Sequence, residues 1–336
     1  MLTVLCIGFG NIAKRHIHNL NGIKPISKLC VVRKSHQKES IADVKDVRFF
    51  QSIDEIPDSI IFDFALICSP SSAHLHDMVS VKRKGIRFFV EKPLLASANE
   101  IVQLDDLLGN ENLPVVGYNL LYTRGFQKIA ALLKQKTVGD IWQIDCKVGQ
   151  YLPDWRSNKP FSHTASANAS MGGGALLELS HELNYLLELF KFNSLTIQAN
   201  LMSHSSLKMD CENQVDILCK AILSDKDNPV SMHINLNMLS RNATRYLTIE
   251  GTMGSLYWDL VKQVIEIKLF DQTAKIVDVS EDTNIAYKHL MYAALDEQGS
   301  GLKTERFDKA KKTMQWIEWI RIAAREKKQM SYDLTW

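Results

Sequence analysis

The stretch VLCIGFGNIAKRH, residues 4–16, decides the fold. Its apolar run reads as a buried strand that breaks on two glycines, and a helical pattern follows at once. Gly8-Phe9-Gly10-Asn11-Ile12-Ala13 fits the spacing G-x-G-x-x-G/A, with alanine in the third place. The first glycine of such a run permits a tight turn. The second lets the backbone approach a pyrophosphate with no side chain in the way, and a small third residue lets helix pack on strand. Backbone N–H groups at the helix start then face an anion, with the helix dipole behind them. The same spacing also occurs in plain structural turns. Here it follows a strand and precedes a helix, as dinucleotide binding requires. Gly8, Phe9, Gly10, Asn11 and Ile12 are therefore candidate cofactor contacts.

Working outward, the next strand ends in CVVRKSH, residues 30–36. An acid there would hold the 2′-hydroxyl of NAD. Arg33, Lys34 and Ser35 stand in its place and suit a 2′-phosphate. The sequence thus favours NADP(H) over NAD(H), the plain alternative being a solvated strand end.

Beyond the turn, strand-like runs at 2–7, 28–32, 61–68, 86–91 and 113–117 alternate with helical stretches at 11–20, 74–84 and 97–108. Such alternation predicts a parallel sheet with helices on both faces. A helix at about 125–136 follows, and then the texture changes. Strand candidates at 141–151, 194–202, 213–224, 230–239, 244–250, 254–260 and 262–270 are interrupted by one helix at about 174–190. Successive strands with few helices between them predict a largely antiparallel sheet. Residues 306–326 read as an amphipathic closing helix. The expected organisation is α/β: a doubly wound, Rossmann-type NAD(P)-binding domain over 1–122 and an α+β substrate and oligomerisation domain over 123–305. The latter carries a large, mostly antiparallel open sheet, and 306–336 form the closing helix and tail.

Lysine plus arginine number 40 against 38 aspartate plus glutamate, a formal net charge of +2 with no basic block. That argues against a nucleic-acid surface. No apolar run approaches the ~20 residues of a membrane span, and the chain opens on Leu2–Ile7 without a secretory segment, so a cytoplasmic location is expected. The six cysteines include no C-x-x-C pair and read as reduced core thiols.

The second concentrated signal is MGGGALLELSHELNYLLELF, residues 171–190. The glycines permit close approach to a ligand or an unusual turn. Glu178, His181, Glu182 and Asn184 follow at spacings that put polar groups on neighbouring faces of one helix. His181 is a natural proton relay, because its ordinary pKa lies near neutrality; a histidine that caps or bridges is the alternative. No second histidine stands at ligand spacing, so no metal is expected. Upstream, GQYLPDWRSNKPFSHTASANASMGGG (149–174) offers Tyr151, Trp155, Arg156 and Lys159. An aromatic face among dense polar groups suits a pyranose, and the cations suit a carboxylate or phosphate. A solvated crossover loop with Trp155 packed inward is the plain alternative.

Three stretches, ICSPSSAHLHDMV (67–79), GIRFFVEKPLLAS (85–97) and IEGTMGSLYWDL (249–260), resemble the glucose–fructose oxidoreductase / inositol dehydrogenase / MocA family. The second matches that family's signature around Glu91-Lys92-Pro93. The resemblance covers nearly the whole chain. It implies an NAD(P)-dependent oxidoreductase acting on CH–OH groups of a sugar-type small molecule, with nicotinamide at the cleft between two domains. It also implies a homodimer or homotetramer formed through the second-domain sheet, with neither nucleic acid nor membrane as partner. By the same resemblance Ser69, Pro70 and His74 line the dinucleotide, and Glu91 and Lys92 lie by the nicotinamide and the reacting carbon. Asn119 contacts nicotinamide or substrate. Lys92 and His181 are the implied catalytic pair, and an ammonium at the reacting oxygen stabilises developing negative charge and shares a proton. Lys92, Tyr151, Trp155, Arg156, Glu178, His181 and Asn184 are the substrate candidates.

The chain departs from the family pattern G-G-G-x-x-x-D-x-G-x-H-x-x-D. Glu178 stands three residues before His181 instead of four, and Asn184 replaces an aspartate. The arginine of G-[FY]-N-x-R-F is missing from Gly117–Tyr122; Arg124 either replaces it or is plain surface. LPDWR with GGGALLELSHELNYL is similar to the subgroup of bacterial surface-sugar and nonulosonic-acid pathways. A rival reading is a non-catalytic dinucleotide sensor, because a galactose-pathway co-repressor resembles the same family.

Overall fold

Because strands covered on both faces need apolar side chains at every position, the first half of the chain carries continuous runs such as Val4–Ile7 and Leu29–Val32, all buried. The computed structural model describes residues 1–34, 41, 44–109, 113–155, 160–224, 228–296 and 301–334. In chain order the first elements are β1 (Leu2–Ile7), α1 (Asn11–Ile23), β2 (Ile26–Val32), β3 (Asp46–Phe50), β4 (Phe64–Ile67), α2 (His74–Arg83), β5 (Phe88–Val90), α3 (Ile101–Leu108) and β6 (Val115–Val116). The six strands form one sheet in the order β3-β2-β1-β4-β5-β6. Every pairing in it is parallel. The order reverses between β1 and β4, and ligands of open α/β sheets bind outside the carboxyl ends of the strands at that point.

Next come α4 (Arg124–Lys134), β7 (Ile141–Tyr151), α5 (Ala175–Glu178), α6 (His181–Leu189), β8 (Phe192–Met202), β9 (Gln214–Leu223), β10 (Pro229–Asn237), β11 (Leu239–Gly251), β12 (Gly254–Asp259), β13 (Val264–Leu269) and β14 (Lys275–Asp278). The chain closes with α7 (Thr283–Leu295), α8 (Gly301–Glu326) and β15 (Met330–Asp333). A nine-stranded sheet runs β14-β13-β12-β11-β7-β10-β9-β8-β15. It is antiparallel except where β7 and β10 run together. Period-two burial marks its single core face: Val215, Ile217, Cys219 and Ala221 on β9, and Val230, Met232, Ile234 and Leu236 on β10, are buried between more exposed neighbours. No helix among the described residues is long and apolar enough to cross a membrane.

The chain divides into two compact units, Met1–Asn119 with Thr283–Met314, and Leu120–Asp282 with Gln315–Trp336. The closing helix is thus shared between units, and α7 belongs to the first. There α7 lies along α1: Asn19 and Asn284 exchange side-chain amide hydrogen bonds at 3.0 and 2.8 Å, and the Arg15 guanidinium stacks 4.6 Å from the Tyr287 ring centre. All six cysteines are free and buried. Burial pushes the Cys211 and Cys219 thiols up to about 12, so they stay protonated.

One element corrects the sequence reading. The helix expected over 174–190 is two pieces: α5 ends at Glu178, Leu179 (φ −102, ψ 26) leaves helical geometry, and α6 opens on His181. Glu178 and His181 therefore do not share one helical face. The shortened spacing is absorbed by the break, not by a rotation around a continuous helix.

Candidate functional site

The β1–α1 turn is built on two glycines with different duties. Gly8 has φ +83, and a Cβ there would lie 2.5 Å from Cys68 O and Ser69 N, both main chain. Only glycine lets β1 turn so tightly against the end of β4. Gly10 is the N-cap of α1 in extended backbone, and a Cβ there meets no atom within 4 Å. Helix α1 starts without a side-chain cap and without an acid in its first turn. Asn11 and Ile12 open it, and Ala13 is buried beneath. Bare N–H groups at a helix start, aimed past a glycine into open space, are the donor set that a pyrophosphate takes.

The two glycines yield opposite expectations. Gly10→Ala costs about 1 kcal/mol of stability or less, yet lowers dinucleotide affinity about tenfold or more, because its methyl fills the approach that the pyrophosphate needs. Gly8→Ala fails at the fold level, from backbone overlap and a left-handed residue together. Thermal unfolding and calorimetric titration of both variants check the pair.

Phe9, between these glycines, is a platform. Phe49 meets it edge-on at 5.8 Å, and the Arg33 guanidinium and Lys14 ammonium stand 5.4 and 5.2 Å from its ring centre. Lys34 is exposed, and Ser35 lies outside the described residues. Two cations therefore converge where β2 ends. Lys14 was not singled out in the sequence; its signal is its place one helical turn beyond Gly10.

Past β4, Ser69 Oγ donates to Asp77 Oδ2 at 2.6 Å. Pro70 is half-buried and Ser71 buried. His74 is buried, with Nδ1 3.0 Å from Pro93 O and Nε2 3.0 Å from Ser69 O. Burial lowers its pKa, against the three carbonyls of Ser69, Leu94 and Pro93 that favour the charged ring. The ring fastens the β4 loop to the segment that follows Lys92.

At the end of β5, the buried Glu91 carboxylate is held on both oxygens. His16 Nε2 lies 2.5 Å from Oε1, and the Lys92 main-chain N–H donates to Oε2 at 3.0 Å. Lys92 itself is half-buried, and the Lys92–Pro93 peptide is cis. Gly117 is required beside them, because a Cβ there would come within 2.9 Å of the Glu91 carboxyl. Asn119 is buried, and its main-chain N–H donates to Gly117 O at 2.9 Å. Since all six strands are parallel, the Gly8–Gly10 turn, Ser69, Lys92 and Asn119 follow the carboxyl ends of β1, β4, β5 and β6. They share one edge of one sheet.

Two adjoining family models match this chain. One, described as "Oxidoreductase family, NAD-binding Rossmann fold", covers residues 2–118. The other, the GFO/IDH/MocA C-terminal domain, covers 126–257. The chain belongs to the GFO/IDH/MocA oxidoreductase family. A curated "Uncharacterized oxidoreductase" of Streptococcus pneumoniae serotype 4 is 22% identical over 237 residues, 70% of this chain and 62% of that relative's own length. Levoglucosan dehydrogenase in complex with NADH and levoglucosan shares the fold at TM-score 0.78 and 14% identity, with 100% of both chains covered. UDP-N-acetylglucosamine 3-dehydrogenase GnnA from Acidithiobacillus ferrooxidans has TM-score 0.74 and 15% identity over 97% of this chain and 98% of its own. GenD2 from gentamicin A biosynthesis, in complex with NAD, has TM-score 0.78 and 18% identity over 99% and 96%. At such identities these structures establish the fold alone.

The second unit of this GFO/IDH/MocA chain carries the other predicted residues. His181, half-buried, is the first residue of α6, and Glu178, also half-buried, closes α5. Asn184 is buried on α6. Tyr151 ends β7 under the Arg241 guanidinium, 3.6 Å from its ring centre. Trp155 has its indole Nε1 buried with no hydrogen-bond partner among the described residues. Arg156 and Lys159 lie outside the described residues. Arg124 does not stand free as a replacement cation: its main-chain N–H donates to Glu281 Oε1 at 2.9 Å and its Nη1 to Ser280 O at 3.1 Å.

Two supports of this unit escaped the sequence reading. Glu212, whose pKa burial raises, accepts the Leu176 N–H at 3.1 Å and occupies the space where a Gly174 Cβ would sit. That explains the glycine at φ +106. Glu182, fully buried on α6, takes Arg245 of β11 in a two-pronged pair at 2.7 and 3.1 Å. Both pairs join distant stretches of chain, which local spacing does not reveal.

Proposed function

We propose that the protein moves a hydride between nicotinamide and a hydroxyl or carbonyl of a sugar or sugar derivative, nucleotide-linked or acidic, and prefers NADP(H). The observation that carries the reading is the open approach over Gly10 to the bare start of α1, with Lys92 held at the same sheet edge. That the family's solved relatives include a levoglucosan and a UDP-N-acetylglucosamine dehydrogenase supports the substrate class.

When bound, the nicotinamide supplies or accepts the hydride at its C4. The N–H groups from Gly10 to Ile12 would hold the pyrophosphate, and Arg33 with Lys14 and Lys34 would hold a 2′-phosphate. Lys92 places its ammonium at the reacting oxygen. In reduction that ammonium would give a proton to the forming alkoxide and become a neutral amine; in oxidation, the same step reversed, the neutral amine would take the hydroxyl proton and become the ammonium. His181 passes that proton onward. Tyr151, Trp155 and Arg156 grip the sugar, and the unused Trp155 N–H suits one of its hydroxyl oxygens. Glu178 and Asn184 complete the polar wall. A homodimer or homotetramer on the open sheet belongs to the same reading.

The test is a panel of sugars, sugar acids and nucleotide sugars incubated with oxidised or reduced dinucleotide and followed at the reduced-nicotinamide absorbance band. The reading expects turnover with at least one of them. Tight dinucleotide binding without turnover on any panel member contradicts it and favours a sensor. Arg33→Asp should reverse cofactor preference: NADP(H) affinity falls by roughly 10- to 100-fold, the worth of a charge-assisted hydrogen bond set against an introduced like charge, while NAD(H) affinity holds or improves. Paired titrations measure it.

A further inference from the structure

His16, which no sequence pattern selected, sits on α1 with its ring fully buried. Its neighbours Ala13, Ile17 and Leu20 on the same helix are apolar and buried, so a leucine would fill the place. A polar ring is retained there at a desolvation cost, and that cost is visible: Nδ1 has no hydrogen-bond partner among the described residues. What the ring's polarity gains is a hydrogen bond, Nε2 to Glu91 Oε1 at 2.5 Å. With no acceptor at Nδ1, the proton is assigned to Nε2, which donates to the carboxylate.

We propose that His16 is a positioning residue for the reaction, fixing Glu91 so that Glu91 fixes the main chain of Lys92. The inference rests on the proposed function and adds a residue to it. The geometry leaves the carboxylate no slack. One oxygen is taken by His16 and the other by the Lys92 N–H, and Gly117 closes the third side, with no room for so much as a methyl. His16 is held in turn by the rings of Phe89 and Tyr287, at 4.8 and 5.9 Å. The helix whose start receives the pyrophosphate is thereby tied, through two side chains, to the residue that carries the reacting ammonium. Cofactor and lysine keep one distance because α1 sets both.

The test compares His16→Ala, His16→Gln and Glu91→Gln in the full chain. His16→Ala should lower kcat by about 10- to 100-fold, the loss that an ångström of misplacement brings, with dinucleotide Kd within about threefold. His16→Gln can still donate an amide N–H to Oε1 and should recover most of kcat. Hydrogen exchange read by mass spectrometry should quicken in the segment around Lys92 while β1 and β4 stay protected. A general loss of stability would quicken exchange throughout and would not be rescued by glutamine. Unchanged Lys92 exchange in His16→Ala, or full kcat in that variant, overturns the proposal. The exchange readout needs no substrate, so it decides the proposal even where the sugar panel yields no turnover.

Discussion

Lys92→Ala lowers kcat by about 10³-fold, the combined order of a lost proton partner and a lost charge at the reacting oxygen, and leaves dinucleotide affinity within about threefold. The split follows from where the groups stand. In the proposed reading the pyrophosphate's donors are the main-chain N–H groups that open α1, which the variant does not touch. Lys92 contributes its main-chain N–H to Glu91, and alanine keeps that bond. Only the ammonium goes, so the loss falls on the step in which charge develops on oxygen. Lys92→Arg keeps the charge but not a readily shared proton, and it should stay well below the wild-type rate. Steady-state kinetics with a titration of each variant check this. Equal kcat in Lys92→Ala would remove the mechanism and leave the fold.

Among variants that still fold, the largest effect on stability is expected at Arg245. Its guanidinium meets Glu182 through two hydrogen bonds, and the Glu182 side chain has 0% exposure. Arg245→Met leaves a buried carboxylate alone, a change that costs about 3–5 kcal/mol. For a chain of this size that is a fall in Tm of about 4–7 °C. Arg245→Met with Glu182→Leu removes both charges and should recover most of the loss, since apolar replacements of whole buried pairs are near neutral. Because α6 opens on His181, the single variant should also slow turnover, and the double variant should restore part of it. Thermal unfolding of both reads the result; a single variant as stable as wild type would show that Glu182 does not need its partner.

The parts legible in the sequence were those that local spacing encodes. The strand-glycine-helix run gave the β1–α1 turn, unbroken apolar runs gave the parallel sheet, and a succession of strands with few helices between them gave the second one. β3 was missed because DVRFF is a short edge strand with no fully buried position. α7 was missed because its helical apolar stripe is weak, although Ala286, Leu290, Met291 and Ala294 are buried. The break at Leu179 and Ser180 was invisible because every residue around it is a tolerable helix former. His16, Glu212 and Arg245 act across 75, 36 and 63 positions of chain; only the folded arrangement brings their partners to them.

The most direct measurement is a crystal structure of the protein with bound NADPH. The account predicts the pyrophosphate on the N–H groups that open α1, the 2′-phosphate against Arg33, and the nicotinamide ring beside the Lys92 ammonium. A dinucleotide seated elsewhere, or a Lys92 ammonium turned away from the ring, would contradict it.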